Sequence, residues 1–201
     1  MIIHAVEQGT EEWFDLKRGK FSASRIYLLM GKKGEGYHNY LNEIAYERVT
    51  GKSVEMYMSE DMMIGTEREP EAREDYKFDT GFGVEQVGFV ELDEFTGVSP
   101  DGLVNEKGLL EIKCPKLTTL VSQHISGKEP KKYYWQIQMQ MWVCEREWCD
   151  YYVYHPEFKA FKKRIERNED DIKALQEEVK KAVESVNEKI KILEKLWTKI
   201  L

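Results

Sequence analysis

Apolar side chains recur at the three- and four-residue spacing of an amphipathic helix in several stretches of the chain. The predicted helices cover residues 11–17, 37–50, about 66–79, and a long C-terminal segment that follows Asn168. Thr10 and Asn168 stand at the N-cap positions, where a side-chain oxygen accepts a hydrogen bond from a free backbone N–H. Residues 129–146 also fit a helix, although their partial alternation of apolar and polar positions is also compatible with a strand.

The pattern changes between residues 84 and 115, where short runs of branched apolar residues are interrupted by DEFTG and NEKG. Such runs with turn signals between them predict about three antiparallel strands. Residues 148–167 predict one or two more strands. Helices, a group of strands, a helix, further strands and a closing helix together indicate an α/β (α+β) protein. We expect a single domain over residues 1–201, with residues 168–201 forming a C-terminal helix.

Composition narrows the class of protein. The chain has 201 residues and is 41% hydrophobic, which is typical of a folded domain with a sizeable core. No apolar run reaches the ~20 residues that span a bilayer, and the first residues, MIIHAVEQGTEEW, lack the pattern of a signal peptide. We therefore expect a cytoplasmic protein without a membrane partner. The net charge of −7 argues against binding nucleic acid through a generally basic surface.

The segment SPDGLVNEKGLLEIKCP carries the strongest candidate chemistry. If its two apolar halves pair as a hairpin, Glu111 and Lys113 point to one face of the sheet and Asp101 can reach the same place. Two neighbouring carboxylates repel each other unless a cation offsets their charge, and a hard divalent cation prefers oxygen ligands. Cross-strand pairing of lysine and glutamate on a solvated face explains the same residues without any metal. The spacing alone leaves both interpretations open.

The spacing P-D-x(9)-E-x-K resembles the signature of the PD-(D/E)-x-K nuclease superfamily. The longer string SPDGLV…GLLEIKCP is similar, more narrowly, to the lambda-type phage exonucleases and YqaJ-type viral recombinases. Three other segments resemble the same family and occur in the same order: EQGTEEWFDLKRGKFSAS, GTEREPEAR and QIQMQMWV. The resemblance covers roughly residues 7–155. It implies a restriction-endonuclease-like core with a central mixed sheet flanked by helices.

The resemblance also implies roles for individual residues. The implied metal ligands, for Mg²⁺ with Mn²⁺ as a substitute, are the carboxylates of Asp101 and Glu111 and the backbone carbonyl of Ile112. Lys113 would act on the attacking water, and Glu69 would help to hold a metal or the water. Gln138 would hydrogen-bond near the nucleophile.

A second group of residues is implied to hold the 5′-phosphate of the DNA. Ser24 and Ser99 match the family's phosphate-binding hydroxyls, although Ser24 also fits a helix N-cap. The family pattern Arg-x-Gly before the S/T-A-S segment selects Lys17, because Arg18 stands one place further along. A lysine binds phosphate as a point charge and lacks the bidentate geometry of a guanidinium. Either Lys17 or Arg18 could therefore bind the 5′ end.

The implied function is a Mg²⁺-dependent exodeoxyribonuclease that digests the 5′-ended strand of linear duplex DNA and leaves 3′ single-stranded tails. The resemblance further implies a ring-shaped homotrimer, a single-strand annealing protein as partner, and a phage or prophage origin in a bacterial host. Two alternatives remain open from the sequence. One is an endonuclease of restriction type. The other is a non-catalytic recombination assembly protein, with a partner surface at Leu196, Trp197, Ile200 and Leu201.

Overall fold

The computed structural model describes residues 1–54 and 60–197. The description leaves out residues 55–59, which belong to the connection after residue 51, and residues 198–201 at the chain end. Ile200 and Leu201 of the predicted partner surface therefore lie outside the described residues. The helices are α1 (Glu11–Lys17), a 3₁₀ helix (Ala23–Leu28), α2 (Glu35–Thr50), α3 (Glu60–Thr80), α4 (Leu117–Ser126), α5 (Lys131–Val143) and α6 (Glu169–Trp197). The four predicted helices are all present, and residues 129–146 also contain a helix.

The strands form two mixed sheets. Their bounds are β1 (Ile2–His4), β2 (Phe21–Ser22), β3 (Val84–Glu85), β4 (Phe89–Asp93), β5 (Thr96–Val98), β6 (Gly102–Val104), β7 (Gly108–Lys113), β8 (Trp148–His155) and β9 (Phe158–Glu166). The first sheet has the order β1-β4-β5-β2, and the second has the order β3-β6-β7-β8-β9. Strands β2 and β5 pair in parallel, as do β7 and β8, whereas the other pairs are antiparallel. The predicted α/β class with mixed sheets flanked by helices is confirmed.

The region predicted as about three strands instead contains five short ones, β3 to β7, divided between the two sheets. The chain crosses from one sheet to the other at residues 99–101, between β5 and β6. Pro100 lies in this crossing, where it has no backbone N–H to donate to a strand ladder. Ser99 and Asp101 on either side of it therefore lie where the two sheets meet.

Strand β7 presents a different chemistry on each face. Leu109 belongs to the larger apolar core, which includes residues of α2, α5 and α6, whereas Leu110 and Ile112 belong to a smaller core beneath α3. Because side chains alternate along a strand, Glu111 lies on the same face as Leu109. The parallel pairing of β7 with β8 requires a crossover connection, and α4 and α5 provide it. This requirement explains why residues 131–143 form a helix and not a strand.

The closing helix α6 begins after Asn168, whose side-chain Oδ1 accepts hydrogen bonds from the backbone N–H groups of Asp170 and Asp171 at 3.1 and 3.2 Å. This is the predicted N-cap. The apolar stripe of α6 is buried up to Val186. Further along the same helix Ile190 and Leu193 are partly buried against the same core, whereas Ile192 and Leu196 are exposed.

Candidate active site

The hairpin of β6 and β7 brings together the charged residues of the PD…E-x-K string. Asp101 directly precedes β6, and its Oδ2 accepts a hydrogen bond of 2.6 Å from the backbone N–H of Ile112. Lys113 donates to Oε1 of Glu111, two positions away on the same face of β7. The Asp101 carboxylate thus contacts the backbone of β7 next to Glu111, whose own carboxylate pairs with the Lys113 ammonium.

Two glutamines of α5 hold the buried carboxylate of Glu111, which is 1% exposed. The Nε2 of Gln136 donates to Oε1 at 2.6 Å, and the Nε2 of Gln140 donates to Oε2 at 2.7 Å. Residues four apart on a helix share one face, so both amides reach the same side chain. Each oxygen of Glu111 therefore has a donor, and this satisfies a charge whose burial would otherwise be costly.

The structure places Gln138 on another side of α5. Its Nε2 donates to the backbone carbonyl of Glu166 at 2.9 Å, and its Oε1 accepts from the backbone N–H of Asn168 at 3.0 Å. Gln138 thus fixes the junction between β9 and α6 and makes no contact with Glu111. The expectation that Gln138 lies beside the nucleophile is corrected: Gln136 and Gln140 occupy that position. The signal for them in the sequence is their i, i+4 spacing.

Glu69 of α3 is a third carboxylate within electrostatic range of this cluster. Burial raises its pKa, the charge of Lys113 lowers it and that of Glu111 raises it, and the net change is upward. Burial and the charge of Glu111 likewise raise the pKa of Asp101 well above its usual range. Ionised carboxylates at this place are therefore under mutual repulsion, which a further cation would relieve.

Lys113 balances part of that charge. Burial lowers its pKa, but the neighbouring charges of Glu111 and Asp101 more than offset this, so that its pKa lies above its ordinary value. The side chain is thus a cation at neutral pH. In this arrangement it donates hydrogen bonds and stabilises negative charge, because an ammonium has no lone pair with which to take a proton.

The donor set fits a hard divalent cation. The oxygens at the cluster are carboxylates and backbone carbonyls, which Mg²⁺ prefers, and Mg²⁺ typically uses one or two carboxylates and keeps several waters. Within residues 1–54 and 60–197, no three His, Cys, Asp or Glu side chains converge closely enough to enclose a metal alone. A metal bound here would therefore need backbone carbonyls or water as ligands besides the carboxylates.

A cavity of about 150 Å³ lies against the same two glutamines. Its walls come from α1, the start of the 3₁₀ helix, β5 and α5, and they include Gln8, Trp13, Lys17, Ser22, Ser24, Ser99, Gln136 and Gln140. The Nε1 of Trp13 donates to Oγ of Ser99 at 2.9 Å, and the Lys17 ammonium lies 3.6 Å from the centre of the Trp13 ring. Hydroxyl groups and one ammonium therefore converge on a small polar cavity next to Glu111.

Lys17 and Arg18 have different surroundings. Lys17 lines the cavity, and burial lowers its pKa to about 8 although the charge of Glu47 opposes that change. The guanidinium of Arg18 instead pairs with Asp15 and donates to Oγ of Ser53 at 3.1 Å. Between the two candidates, the cavity therefore contains Lys17. Gly19 permits this geometry, since its φ of 69° lies in the left-handed region and turns the chain back toward β2.

The structure thus groups the predicted residues into two adjoining parts. Glu69, Asp101, Glu111 and Lys113 form the charged cluster, and Lys17, Ser24 and Ser99 line the cavity. Sequence reasoning missed Gln136 and Gln140, which face both parts, and also Trp13 and Gln8 in the cavity wall. The two mixed sheets with this hairpin define the class of protein, which is the PD-(D/E)-x-K nuclease fold.

The family follows from comparison with known proteins. Residues 12–147 match the model of the YqaJ-like viral recombinase domain. The chain belongs to this family, and the predicted family is confirmed. The chain matches none of the curated proteins.

Solved structures agree with this assignment. An alkaline exonuclease, LHK-Exo from Laribacter hongkongensis, is 35% identical with a TM-score of 0.89, and the match covers 96% of this chain and 100% of that one. The same enzyme in complex with dAMP matches equally well. A phage-related exonuclease from Haemophilus somnus 129PT shares the fold at 16% identity, with a TM-score of 0.64 over 93% of this chain and 99% of that one. Among the described residues, no helix is long and apolar enough to cross a membrane.

Proposed function

We propose that this protein is a Mg²⁺-dependent exodeoxyribonuclease that digests the 5′-ended strand of linear duplex DNA and leaves 3′ single-stranded tails for phage-type recombination. The observation that carries the proposal is the shared wall between the two parts of the site. Gln136 and Gln140 contact Glu111 and also line the polar cavity. A terminal phosphate in the cavity would therefore bring the adjoining phosphodiester toward the carboxylates.

The charge and size of the cavity support binding of a 5′-phosphate. The Lys17 ammonium supplies one positive charge, and the hydroxyls of Ser22, Ser24 and Ser99 are donors that rotate to meet phosphate oxygens. The cavity has room for a phosphate group, and its ammonium and hydroxyl groups suit a terminal phosphate, which carries more negative charge than an internal phosphodiester. This favours an exonuclease over an endonuclease of restriction type.

The charged cluster supports hydrolysis of the phosphodiester. Asp101 and Glu111, with the backbone carbonyl of Ile112, would hold Mg²⁺, and Glu69 would orient the attacking water. Mg²⁺ supplies Lewis-acid stabilisation of the attacking and leaving oxygens when it is bound, and Mn²⁺ would substitute for it. Lys113 keeps its proton and stabilises the charge that develops on the phosphoryl oxygens. Gln136 and Gln140 hold Glu111 in one orientation throughout.

Mononucleotide release is consistent with the solved relatives, since the similar alkaline exonuclease has been solved with dAMP.

We further propose a homotrimeric ring around DNA, a single-strand annealing protein as partner, and the cytoplasm of a bacterial host as the location. A ring needs a basic lining only inside its channel, which reconciles DNA binding with the net charge of −7.

A strand-specific nuclease assay tests the proposal. Linear duplexes with a 5′-phosphate or a 5′-hydroxyl, labelled on one strand at a time, would be incubated with and without Mg²⁺, with closed circular plasmid as the control. We expect loss of the 5′-phosphorylated strand, release of mononucleotides and an intact plasmid. Cutting of the plasmid would instead identify an endonuclease, and the absence of cleavage with both Mg²⁺ and Mn²⁺ would favour the assembly protein.

A further inference from the structure

Arg73 is a buried cation beside the carboxylate cluster. It lies one helical turn after Glu69 on α3 and is only 7% exposed. No carboxylate in the described part of the chain lies within 4.0 Å of its guanidinium. A buried arginine normally forms a close ion pair, because the loss of hydration is costly without one. The position of Arg73 therefore calls for a reason other than a simple ion pair.

The hydrogen bond of Arg73 shows what it holds. Its Nε donates to the backbone carbonyl of Asp101 at 3.2 Å. On the preceding residue, the carbonyl of Pro100 accepts a longer bond of 3.4 Å from Nε2 of Gln8. These two carbonyls lie in the crossing between the sheets, where no strand ladder fixes the backbone. Side chains from α3 and from the N-terminal segment thus replace the missing ladder bonds.

Fixing the backbone of Asp101 also fixes its carboxylate. The short aspartate side chain has only two rotatable bonds, and its Oδ2 already accepts from the backbone N–H of Ile112. With the carbonyl held from one side and the carboxylate from the other, Asp101 has little freedom to turn away from Glu111. A ligand that is held in place before the metal arrives loses less conformational entropy on binding.

We propose that Arg73 is a positioning residue for the divalent-metal site, acting through the backbone carbonyl of Asp101. The inference rests on the proposed function, since it assumes that Asp101 binds the metal. Arg73 has two effects of opposite sign on metal affinity. Its positive charge repels a cation, so charge removal alone would tighten metal binding. Its hydrogen bond orders Asp101, so loss of that bond weakens metal binding, and this second effect dominates.

Calorimetric titration of the full-length protein with Mn²⁺, and separately with Ca²⁺, separates the two effects. Arg73→Lys keeps the charge but loses the planar Nε donor, whereas Arg73→Met loses both. Lys77→Met is the matched control, because Lys77 lies one turn further along the same helix and pairs with Glu74 at the surface. Thermal melting of each variant confirms that the protein is folded.

We expect Arg73→Lys to weaken metal binding about 10- to 100-fold, as loss of a ligand-orienting group does, and Lys77→Met to bind like wild type. Raising the Mg²⁺ concentration should restore most of the kcat of Arg73→Lys, which a general folding defect would not allow. Unchanged affinity in a folded Arg73→Lys protein, or tighter binding in Arg73→Met, would overturn the inference. Absence of metal binding by the wild-type protein would instead overturn the proposed function.

Discussion

Two buried carboxylates on neighbouring parallel strands have opposite surroundings. Glu111 of β7 and Asp150 of β8 are 1% and 2% exposed, and they point to opposite faces of the same sheet. The guanidinium of Arg164 donates two hydrogen bonds, of 2.8 and 2.9 Å, to the carboxylate of Asp150. The hydroxyl of Tyr76 donates a third, of 2.8 Å. Glu111 also has its oxygens satisfied, but Asp101 and Glu69 lie near it and add negative charge.

The difference distinguishes a structural charge, at Asp150, from the proposed catalytic charge at Glu111. At Asp150 the negative charge is balanced by one guanidinium, which stacks at 3.6 Å on the ring of Trp148. Around Glu111, three carboxylates share the charges of Lys113 and Arg73, and burial together with the charge of Glu111 raises the pKa of both Asp101 and Glu69. Burial alone therefore does not identify a catalytic carboxylate. The balance of charge around Glu111 is what supports its proposed catalytic role.

Removal of Glu111 should have the largest effect on activity. We expect Glu111→Gln to reduce the nuclease rate by at least about 1,000-fold, because a metal ligand is lost. The melting temperature should fall only modestly, because the new amide NH2 would face the Nε2 donor of Gln136 or Gln140 while the loss of one repelling carboxylate offsets part of that cost. Initial rates on 5′-phosphorylated duplex and differential scanning calorimetry measure the two quantities. A variant that loses activity only because it unfolds would contradict the comparison.

Removal of the Asp150 charge should have the reverse effect: stability should fall and activity should be largely kept. We expect Asp150→Asn to lower the free energy of unfolding by about 2–3 kcal/mol, which is less than for a fully buried ion pair because Arg164 is partly exposed. The variant should retain near-normal activity well below its melting temperature. Urea unfolding measures the stability, and a large fall in kcat of the folded variant would assign Asp150 to the catalytic machinery.

The faces of α5 offer a sharper test with a matched control. Gln136→Leu and Gln140→Leu remove amide donors from Glu111, and we expect each to lower activity by about 10- to 100-fold, as loss of a ligand-orienting bond does. Gln138→Leu removes two bonds at the junction of β9 and α6, so it should cost about 1–3 kcal/mol of stability with little loss of kcat. Loss of kcat in folded Gln138→Leu at low temperature would restore its predicted role.

The smallest effect concerns the pH dependence of the polar cavity. Because burial lowers the pKa of Lys17 to about 8, its positive charge disappears as the pH rises through that value. We expect the preference for a 5′-phosphate over a 5′-hydroxyl to fall by up to about tenfold between pH 7 and pH 9. Lys17→Arg should keep the preference across this range, since a guanidinium stays protonated. Equal pH profiles for the two proteins would exclude Lys17 as the phosphate-binding charge.

Local signals were sufficient for most of the elements. The caps at Thr10 and Asn168 correctly predicted where α1 and α6 begin, whereas α2 and α3 begin about two and six residues before their predicted starts. The short strands were harder, because β3, β5 and β6 have only two or three residues each and depend on pairing partners far along the chain. Periodicity could not show that these strands are divided between two sheets.

The sequence by itself determined the charged hairpin, because spacing along two paired strands places Asp101 near Glu111, and its resemblance to known motifs indicated the class of protein and the family. Only the tertiary structure decided which glutamines face Glu111 and whether Lys17 or Arg18 enters the cavity. It also placed Arg73, which belongs to the separate helix α3, next to the backbone of Asp101. The physical reason is that alternation along a strand is local, whereas the rotation of a helix about its axis is set by packing against distant elements.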